Sequence, residues 1–552
     1  MLCALCAGNA AHVLVGQLSS RGALCSLLST YPGEADAIRN GLSESPTEKK
    51  RTSDRGIVVK HWCLDRSGTN FGTLRGTPVS VASRVESAFT PTTTTPTTSS
   101  ITTTRDAVEY YDCIIIALPA FAHDTYLNAM APYLASPHPS RPPTVLVAAV
   151  AQGGFDLAVR AALTRANVTS TVVIAGLETL PWACRLVSQG SECEILGTKT
   201  EVDVAIAAHP NGTSSSSGVK RHIPRALDIL QAVVGHAPRL RLASGFLGVT
   251  LMNINSLWHP TLMYHRWNEE KDGWDGEETF ETPPLFYEGA SDDVGVTVSA
   301  MSKEVANVCA VLKDRYGDDL LDDLSSCRDA YDWFIRAYSH ESDMDCTSVT
   351  TMLRTNPAYQ GLTHPMKKLV RYDDSGSAIP DAKPRLVPDF HHRYLSEDIP
   401  YGLVVTRGIA ELAGVPTPTI DAVITWSQKV QGLSYLTAAK PGGHGFSESD
   451  IPGSALRLNG DDVARSRCPQ RYGWFDLDWF VRGNGYVVGE SEYEEGGANL
   501  DQASAGGEIR WSPGTAQAHL MKESHSTEGI TTSSEEGGPC FAGEYPESTG
   551  AA

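Results

Sequence analysis

The rhythm of the apolar residues changes once along this 552-residue chain, near residue 245. Before that point, short apolar runs such as CIIIALP (113–119), TVLVAAV (144–150) and TSTVVIAGL (169–177), with a further pair near 192–207, are interleaved with helical spacing as in AVRAALTRA (158–166). Strands alternating with helices lead to a parallel sheet, because each strand needs a crossover to return the chain to the same edge. After 245 the apolar positions recur at helical intervals over 248–270, 299–316, 319–338, 399–413 and 418–433, interrupted by Pro and Gly loops. The expectation is an α/β N-terminal domain over 1–244, a mostly α-helical domain over 245–440, and a variable, mostly disordered tail over 441–552, with the aromatic patch 472–488 docking onto the body.

Composition narrows the classes. With 41% hydrophobic and 20% charged residues the chain can bury an ordinary core. Two stretches stand outside it: the polar run 40–56 and the Thr/Pro-rich FTPTTTTPTTSSITTTR (89–105) read as surface insertions at about 40–56 and 88–106. A net charge of −20 without a Lys/Arg stripe repels phosphate backbones and anionic lipid, so neither nucleic acid nor membrane is an expected partner. Twelve cysteines without regular spacing suit free thiols in a reducing, cytoplasmic setting. Cys3 and Cys6 form a C-x-x-C with no second ligand pair, so no metal site is expected. The apolar opening has no Lys or Arg before Arg21, which suits a strand-turn-helix better than a signal peptide, and the sequons at Asn167 and Asn211 are expected to be silent.

Residues 3–6 read as a buried strand, 10–20 as a helix and 23–29 as a second strand, with the turn C-A-G-N-A-A-H (6–12) at the first junction. A dinucleotide fold of the Rossmann type wants G-x-G-x-x-G or G-x-G-x-x-A there, so that backbone N–H groups at a helix N-terminus can approach a pyrophosphate. Gly8 and Ala11 fit, and Cys6 stands at the first glycine. Taken alone the same residues also describe a buried strand followed by an ordinary helix. The second strand ends in Ser29-Thr30-Tyr31, where Glu34 or Asp36 could meet a ribose hydroxyl if the turn bends back, and Arg39 could meet a 2′-phosphate, so NADH and NADPH both remain open.

Two further segments carry candidate chemistry. In TLMNINSLWHP (250–260), His259 stands directly before Pro260, a residue that prefers the first turn of a helix, which would put His259 at a helix N-terminus. A nearby carboxylate would then poise it for proton transfer. In RYLSEDIPYGL (393–403), the Arg393 fork suits a substrate carboxylate, while Glu397 and Asp398 read locally as helix-start acids.

In this order, GNAAH, IIIALPAFAH (114–123), AQGGFDL (151–157), GLETLPWACR (176–185), NINSLWHP (253–260), NPAYQGLTHP (356–365) and RYLSEDIPYGL resemble the octopine/nopaline (opine) dehydrogenase family over roughly residues 2–430. The resemblance implies a Rossmann domain followed by a helical domain of the 6-phosphogluconate dehydrogenase C-terminal-like type, with substrates between them. It implies NADH or NADPH as cofactor, held by Gly8, Asn9, Ala10, Ala11, His12, Leu118 and Pro119. It further implies His259 and Asp398 as the catalytic pair, Arg393 on a substrate carboxylate, and Glu178, Cys184 and Asn255 on the substrates, an amino acid and a 2-keto acid. Cys6 and Ala10 stand where glycines are usual, and the insertions and tail are extra, so the competing expectation is a weakened NAD(H)-binding sensor or scaffold of the same fold. A hydroxy-acid or polyol-phosphate reductase commonly carries a lysine where this chain has His259.

Overall fold

The computed structural model describes residues 2–6, 9–30, 33–42, 56–62, 70–89, 110–134, 141–209, 221–243, 245–271, 274, 276, 278–338, 343–369, 371–372, 378–379, 385–438 and 455–487. All of them lie in one compact unit, Met1–Glu492. Gly8, most of both insertions (43–55 and 90–109), Asn211 and the chain from 488 onward lie outside the described residues.

The first half runs β1 (Leu2–Cys6), α1 (Asn9–Ser20), β2 (Leu24–Leu28), α2 (Glu34–Leu42), β3 (Ile57–Trp62), β4 (Asn70–Gly76), β5 (Ser80–Ala82), α3 (Val85–Phe89), β6 (Cys113–Ile116), α4 (Ala120–Met130), β7 (Val145–Ala148), α5 (Phe155–Arg165), β8 (Val172–Leu177), β9 (Trp182–Ser188), β10 (Glu192–Thr198), β11 (Glu201–His209), α6 (Ile223–Val234) and β12 (Arg239–Leu242). Eight strands form one sheet in the order β12-β11-β8-β7-β6-β1-β2-β5. Neighbours are parallel except β8 and β11. Because β1 sits between β2 and β6, the chain reverses its direction of travel across the sheet there. The crevice at such a switch point is where doubly wound folds bind ligands.

Strands β6, β7 and β8 are buried at every residue, as parallel strands covered on both faces must be. Alternate residues serve opposite sides. Ile114, Ile116, Leu146 and Ile174 join a core with α4, α5 and the helical half, whereas Cys113, Ile115, Val145 and Val173 face α1 and α6. A second sheet, β4-β3-β10-β9, lies over α1, with Val59 and Ile195 joining Val13 and Val15. Of its four strands the sequence pattern pointed only to β10, because β3 and β4 are flanked by polar runs that hide their alternation.

The second half contains α7 (Phe246–Leu251), α8 (Ile254–Trp267), α9 (Asp292–Tyr316), α10 (Ala330–Ala337), α11 (Val349–Thr355), α12 (Arg393–Ser396), a π-helical turn (Ile399–Leu403), α13 (Val404–Ala413), α14 (Pro418–Gln431) and α15 (Leu477–Gly483). The 25-residue α9 is the spine: Val294, Val298, Met301, Val305, Val308 and Leu312 form one buried stripe at alternating spacings of four and three. Asp292 and Asp293 in its first turn and Lys313 and Arg315 in its last complement the helix dipole. Arg407 on α13 is buried and pairs with Glu411 at 2.8 Å and Asp421 of α14 at 2.6 Å. Among the described residues no helix is long and apolar enough to cross a membrane.

Three expectations change. The helix expected over 319–338 is helical only at Ala330–Ala337. Asp322 turns its carboxylate onto the N–H groups of Gly248 and Leu324, and Leu324 adopts a positive φ of 54°, so the chain loops before it coils. Pro260 does not open a helix but lies inside α8, whose start is set earlier by Asn253 and the buried run Ile254, Leu257 and Trp258. More of the segment expected as tail is folded than the aromatic patch alone: residues 455–471 also pack on the body, while the patch docks as expected and contributes Phe480 and Tyr486 to the core.

Candidate active site

The helical half meets the sheet at the carboxyl ends of β6, β7 and β8. His259, the sixth residue of α8, places Nδ1 2.8 Å from Oδ2 of Asp398 and Nε2 2.8 Å from the hydroxyl of Tyr287. A carboxylate only accepts, so the Nδ1 proton points to Asp398 and Nε2 is left to accept from Tyr287. The imidazole stacks on Tyr394 at 4.1 Å. α8 begins five residues before His259, so the histidine stands in the second turn of the helix, contrary to the N-terminal placement expected from Pro260. Asp398 directly precedes the π-helical turn. A Cβ on Gly402 in that turn would fall 2.3 Å from Cβ of Ser256, so glycine is what lets the turn lie against α8.

Gln152, after β7, donates to Oδ1 of Asp398 at 3.3 Å and accepts from Asn253, the residue before α8. It holds a positive φ of 52°, which an L residue keeps only where its surroundings fix it. Glu397, locally a helix-start acid, spans both halves instead: Oε1 accepts the Ala120 N–H at 2.8 Å, and Oε2 lies 2.7 Å from Nη2 of Arg393. The Arg393 side chain is half-exposed, and the charge of Glu397, then that of Asp398, raises its pKa.

On the other side of the edge, Glu178 ends the β8 region in a buried polar cluster. It pairs with Arg336, accepts from Trp333 Nε1 at 3.1 Å and accepts the Asp203 N–H at 2.8 Å; burial nevertheless raises its pKa. Asp203 is itself ringed by Arg241 at 2.7 Å, Arg328 at 3.0 Å and Arg336 at 3.3 Å, which fastens α10 to β11. Burial pushes the Cys184 thiol up to about 11, which keeps it neutral, and lowers Lys199 to about 8. Asn255 is half-buried one helical turn before His259, on the same face of α8.

The cofactor-side residues divide. Ala10 and Ala11 are small and buried in the first turn of α1, which carries no acid. The ring of His12 is committed to the Gly190 N–H at 3.1 Å, so its side chain pins the β9–β10 hairpin. Side chains at Cys6 and Asn9 lie outside the described residues, as does Gly8. Leu118 is half-buried and its carbonyl faces Nε2 of His123 at 2.8 Å. Burial, then the charge of Arg467, hold His123 down at about 3, so it is a neutral donor to that carbonyl. Pro119 precedes α4 at its N-cap. At the end of β2 the Ser29 hydroxyl donates to Glu34, while Arg39 is occupied by Asp36 at 2.5 Å and the Val81 carbonyl at 2.9 Å. An acid-free helix start above a topological switch point, with a carboxylate at the second strand, fits a dinucleotide.

Sequence reasoning missed Tyr287, Tyr394, Gln152 and Asn253. Three of them, Gln152, Asn253 and Tyr394, lie at the edges of AQGGFDL, NINSLWHP and RYLSEDIPYGL, so the motifs marked their neighbourhood; Tyr287 follows an irregular Pro-rich loop that carries no periodic signal.

A histidine hydrogen-bonded to a buried carboxylate, held against the carboxyl edge of a dinucleotide-type sheet, is compatible with an NAD(P)-dependent dehydrogenase. The family described as NAD/NADP octopine/nopaline dehydrogenase, alpha-helical domain, matches residues 242–431. The chain is 36% identical over 368 residues to tauropine dehydrogenase of Arabella iricolor, covering 66% of this chain and 79% of that one. It is 32% identical over 486 residues to octopine dehydrogenase of Mizuhopecten yessoensis, covering 87% and 98%. A solved structure of octopine dehydrogenase with NADH and pyruvate superposes with a TM-score of 0.62 at 28% identity, covering 88% of this chain and 98% of that one. The chain belongs to the octopine/nopaline dehydrogenase family, the opine dehydrogenases. It is an NAD(P)-dependent oxidoreductase acting on CH–NH donors, and its reaction class is the reductive condensation of an amino acid with a 2-keto acid.

Proposed function

We propose that this chain condenses an amino acid with pyruvate, with the Rossmann half (1–244) binding the dinucleotide and the helical half (245–440) supplying the proton-transfer pair. The amine attacks the keto carbon, water leaves, and reduction of the imine gives a secondary amine dicarboxylate. When bound, the nicotinamide supplies the hydride. His259 protonates the departing oxygen through Nε2 and runs the reverse reaction as base. Asp398 fixes the Nδ1 tautomer and stabilises the imidazolium. Tyr287 occupies the Nε2 position and passes to a substrate oxygen or relays the proton. Arg393 offers its free edge to the keto-acid carboxylate, and Glu178, Cys184 and Asn255 line the amino-acid side.

The observation that carries this reading is the 2.8 Å contact between His259 and Asp398, made by two segments far apart in the chain. Pyruvate is favoured because the superposable octopine dehydrogenase was solved with NADH and pyruvate. The test is an NADH- and NADPH-oxidation screen with pyruvate against arginine, alanine, glycine, taurine and bulkier amino acids. Oxidation that requires both substrates is expected. Tight cofactor binding with no turnover on any pair would favour the sensor or scaffold reading instead.

A further inference from the structure

Arg467 is fully buried, and beyond the influence of its charge on His123 it has no part in the roles above. It lies beyond the 242–431 family match, between two short 3-10 turns (Asp461–Arg465 and Pro469–Tyr472). Its Nη2 donates to the Ala120 carbonyl at 2.8 Å, its Nη1 to the Ala151 carbonyl at 3.4 Å, and its guanidinium lies 4.9 Å over the ring of Tyr401. Its own N–H donates to the Pro400 carbonyl at 3.3 Å.

Each partner adjoins the site. Ala120 follows Leu118-Pro119, and its N–H holds Glu397. Ala151 precedes Gln152, which donates to Asp398. Pro400 and Tyr401 belong to the turn that Asp398 opens, and the Tyr401 carbonyl accepts from Gly153 at 2.6 Å. The chain makes room for this contact: Gly154 has a φ of +67°, and a Cβ there would fall 2.6 Å from the Arg467 carbonyl oxygen. The nearest carboxylate to Arg467, Asp124, is 3.9 Å from Nε, so the charge is buried mainly among carbonyls and π faces, a costly placement. A planar fork holds its donors at fixed positions and so fixes two carbonyls and an aromatic face in one geometry; the three donors of an ammonium rotate freely and fix none of them.

We propose that Arg467 is a positioning residue for the condensation, bracing the cofactor-side loop (Leu118–Ala120) and the Gln152 turn against the turn that carries Asp398. The proposal rests on His259 and Asp398 acting as the proton-transfer pair. With the brace gone, the pair and the cofactor loop each survive, but their relative placement is lost, and a displacement of about 1 Å in such a site costs on the order of a hundredfold in rate.

The test uses Arg467→Lys and Arg467→Met in the full chain, with kcat referred to the concentration of NADH-binding sites measured by fluorescence titration. Arg467→Lys keeps the charge and donors but loses the rigid planar fork. The expected result is a kcat per binding site at least tenfold lower in Arg467→Lys, lower still in Arg467→Met, with NADH affinity within about threefold of wild type. Wild-type kcat per site in Arg467→Lys would overturn the proposal, as would a loss fully accounted for by missing NADH sites. So would failure of Arg467→Lys to fold, which would make Arg467 a folding residue only. A wild-type chain that binds NADH but condenses nothing would instead overturn the reaction, and the proposal with it.

Discussion

His259 and Asp398 are separated by 139 residues in the chain and by 2.8 Å in space, one presented by the middle of α8 and the other by the entry to a π-helical turn. Residues that act as one unit lose most of their function when either is removed. His259→Ala and Asp398→Ala should each lower kcat on the order of a hundredfold or more, since positioned acid–base catalysis is worth about 10² to 10⁴. The double variant should be little worse than the worse single one, with NADH binding preserved. Steady-state kinetics on the three variants checks this, and multiplicative losses would show that Asp398 acts independently of His259.

The carboxylate of Glu34, held at the end of β2 by Ser29, sits where a dinucleotide fold reads the ribose, and Arg39 is already engaged by Asp36 and Val81. A carboxylate there favours a free 2′-hydroxyl and repels a 2′-phosphate. NADH should therefore be preferred over NADPH by about tenfold or more in kcat/KM, and Glu34→Gln should narrow the gap mainly by improving NADPH. Equal use of both cofactors by the wild-type chain would contradict this assignment.

Burial, reinforced by Arg266, holds His364 down at about 3, and its Nδ1 accepts from Trp267 Nε1 at 3.1 Å. In the unfolded chain a histidine titrates near about 6.5. Below that pH the unfolded state binds a proton that the folded state refuses, so this contribution is complete above about pH 6.5 and is lost on acidification toward about 3. His364→Asn keeps an acceptor that does not titrate. Its stability should fall less steeply between pH 6.5 and 4, the difference approaching about 1.4 kcal/mol per pH unit. Urea unfolding at several pH values checks this; parallel profiles would contradict it.

Arg407 is 1% exposed and neutralises both Glu411 and Asp421. Arg407→Leu leaves two carboxylates buried beside an apolar side chain and should cost about 3–5 kcal/mol of unfolding free energy. Denaturant titration at neutral pH measures it, and a loss below ~1 kcal/mol would mean that the carboxylates reach solvent or protonate cheaply.

The parts legible in the sequence were those set by local pattern. Alternating strands and helices marked β1, β2, β6, β7 and β8 of the main sheet, and the strings around His259 and Asp398 pointed to two segments that the structure brings into contact. Pro260 misled because a helix-starting preference is local, whereas α8 is drawn past it by the burial of Ile254, Leu257 and Trp258. Glu397 looked like a dipole-favoured acid because its real partner, the Ala120 N–H, is 277 residues away. Arg467 gave no signal at all: a buried cation among carbonyls is specified by the surfaces it joins, not by its neighbours in sequence.

The most direct measurement of the central claim follows the hydride. The chain is supplied with NADH deuterated at C4, in separate preparations for the two faces, together with pyruvate and the amino acid selected by the screen, and the products are read by mass spectrometry. The account predicts that one face delivers deuterium to the carbon that was the keto carbon, in a secondary amine formed only when both substrates are present. Deuterium appearing instead in a 2-hydroxy acid made from pyruvate alone would contradict it.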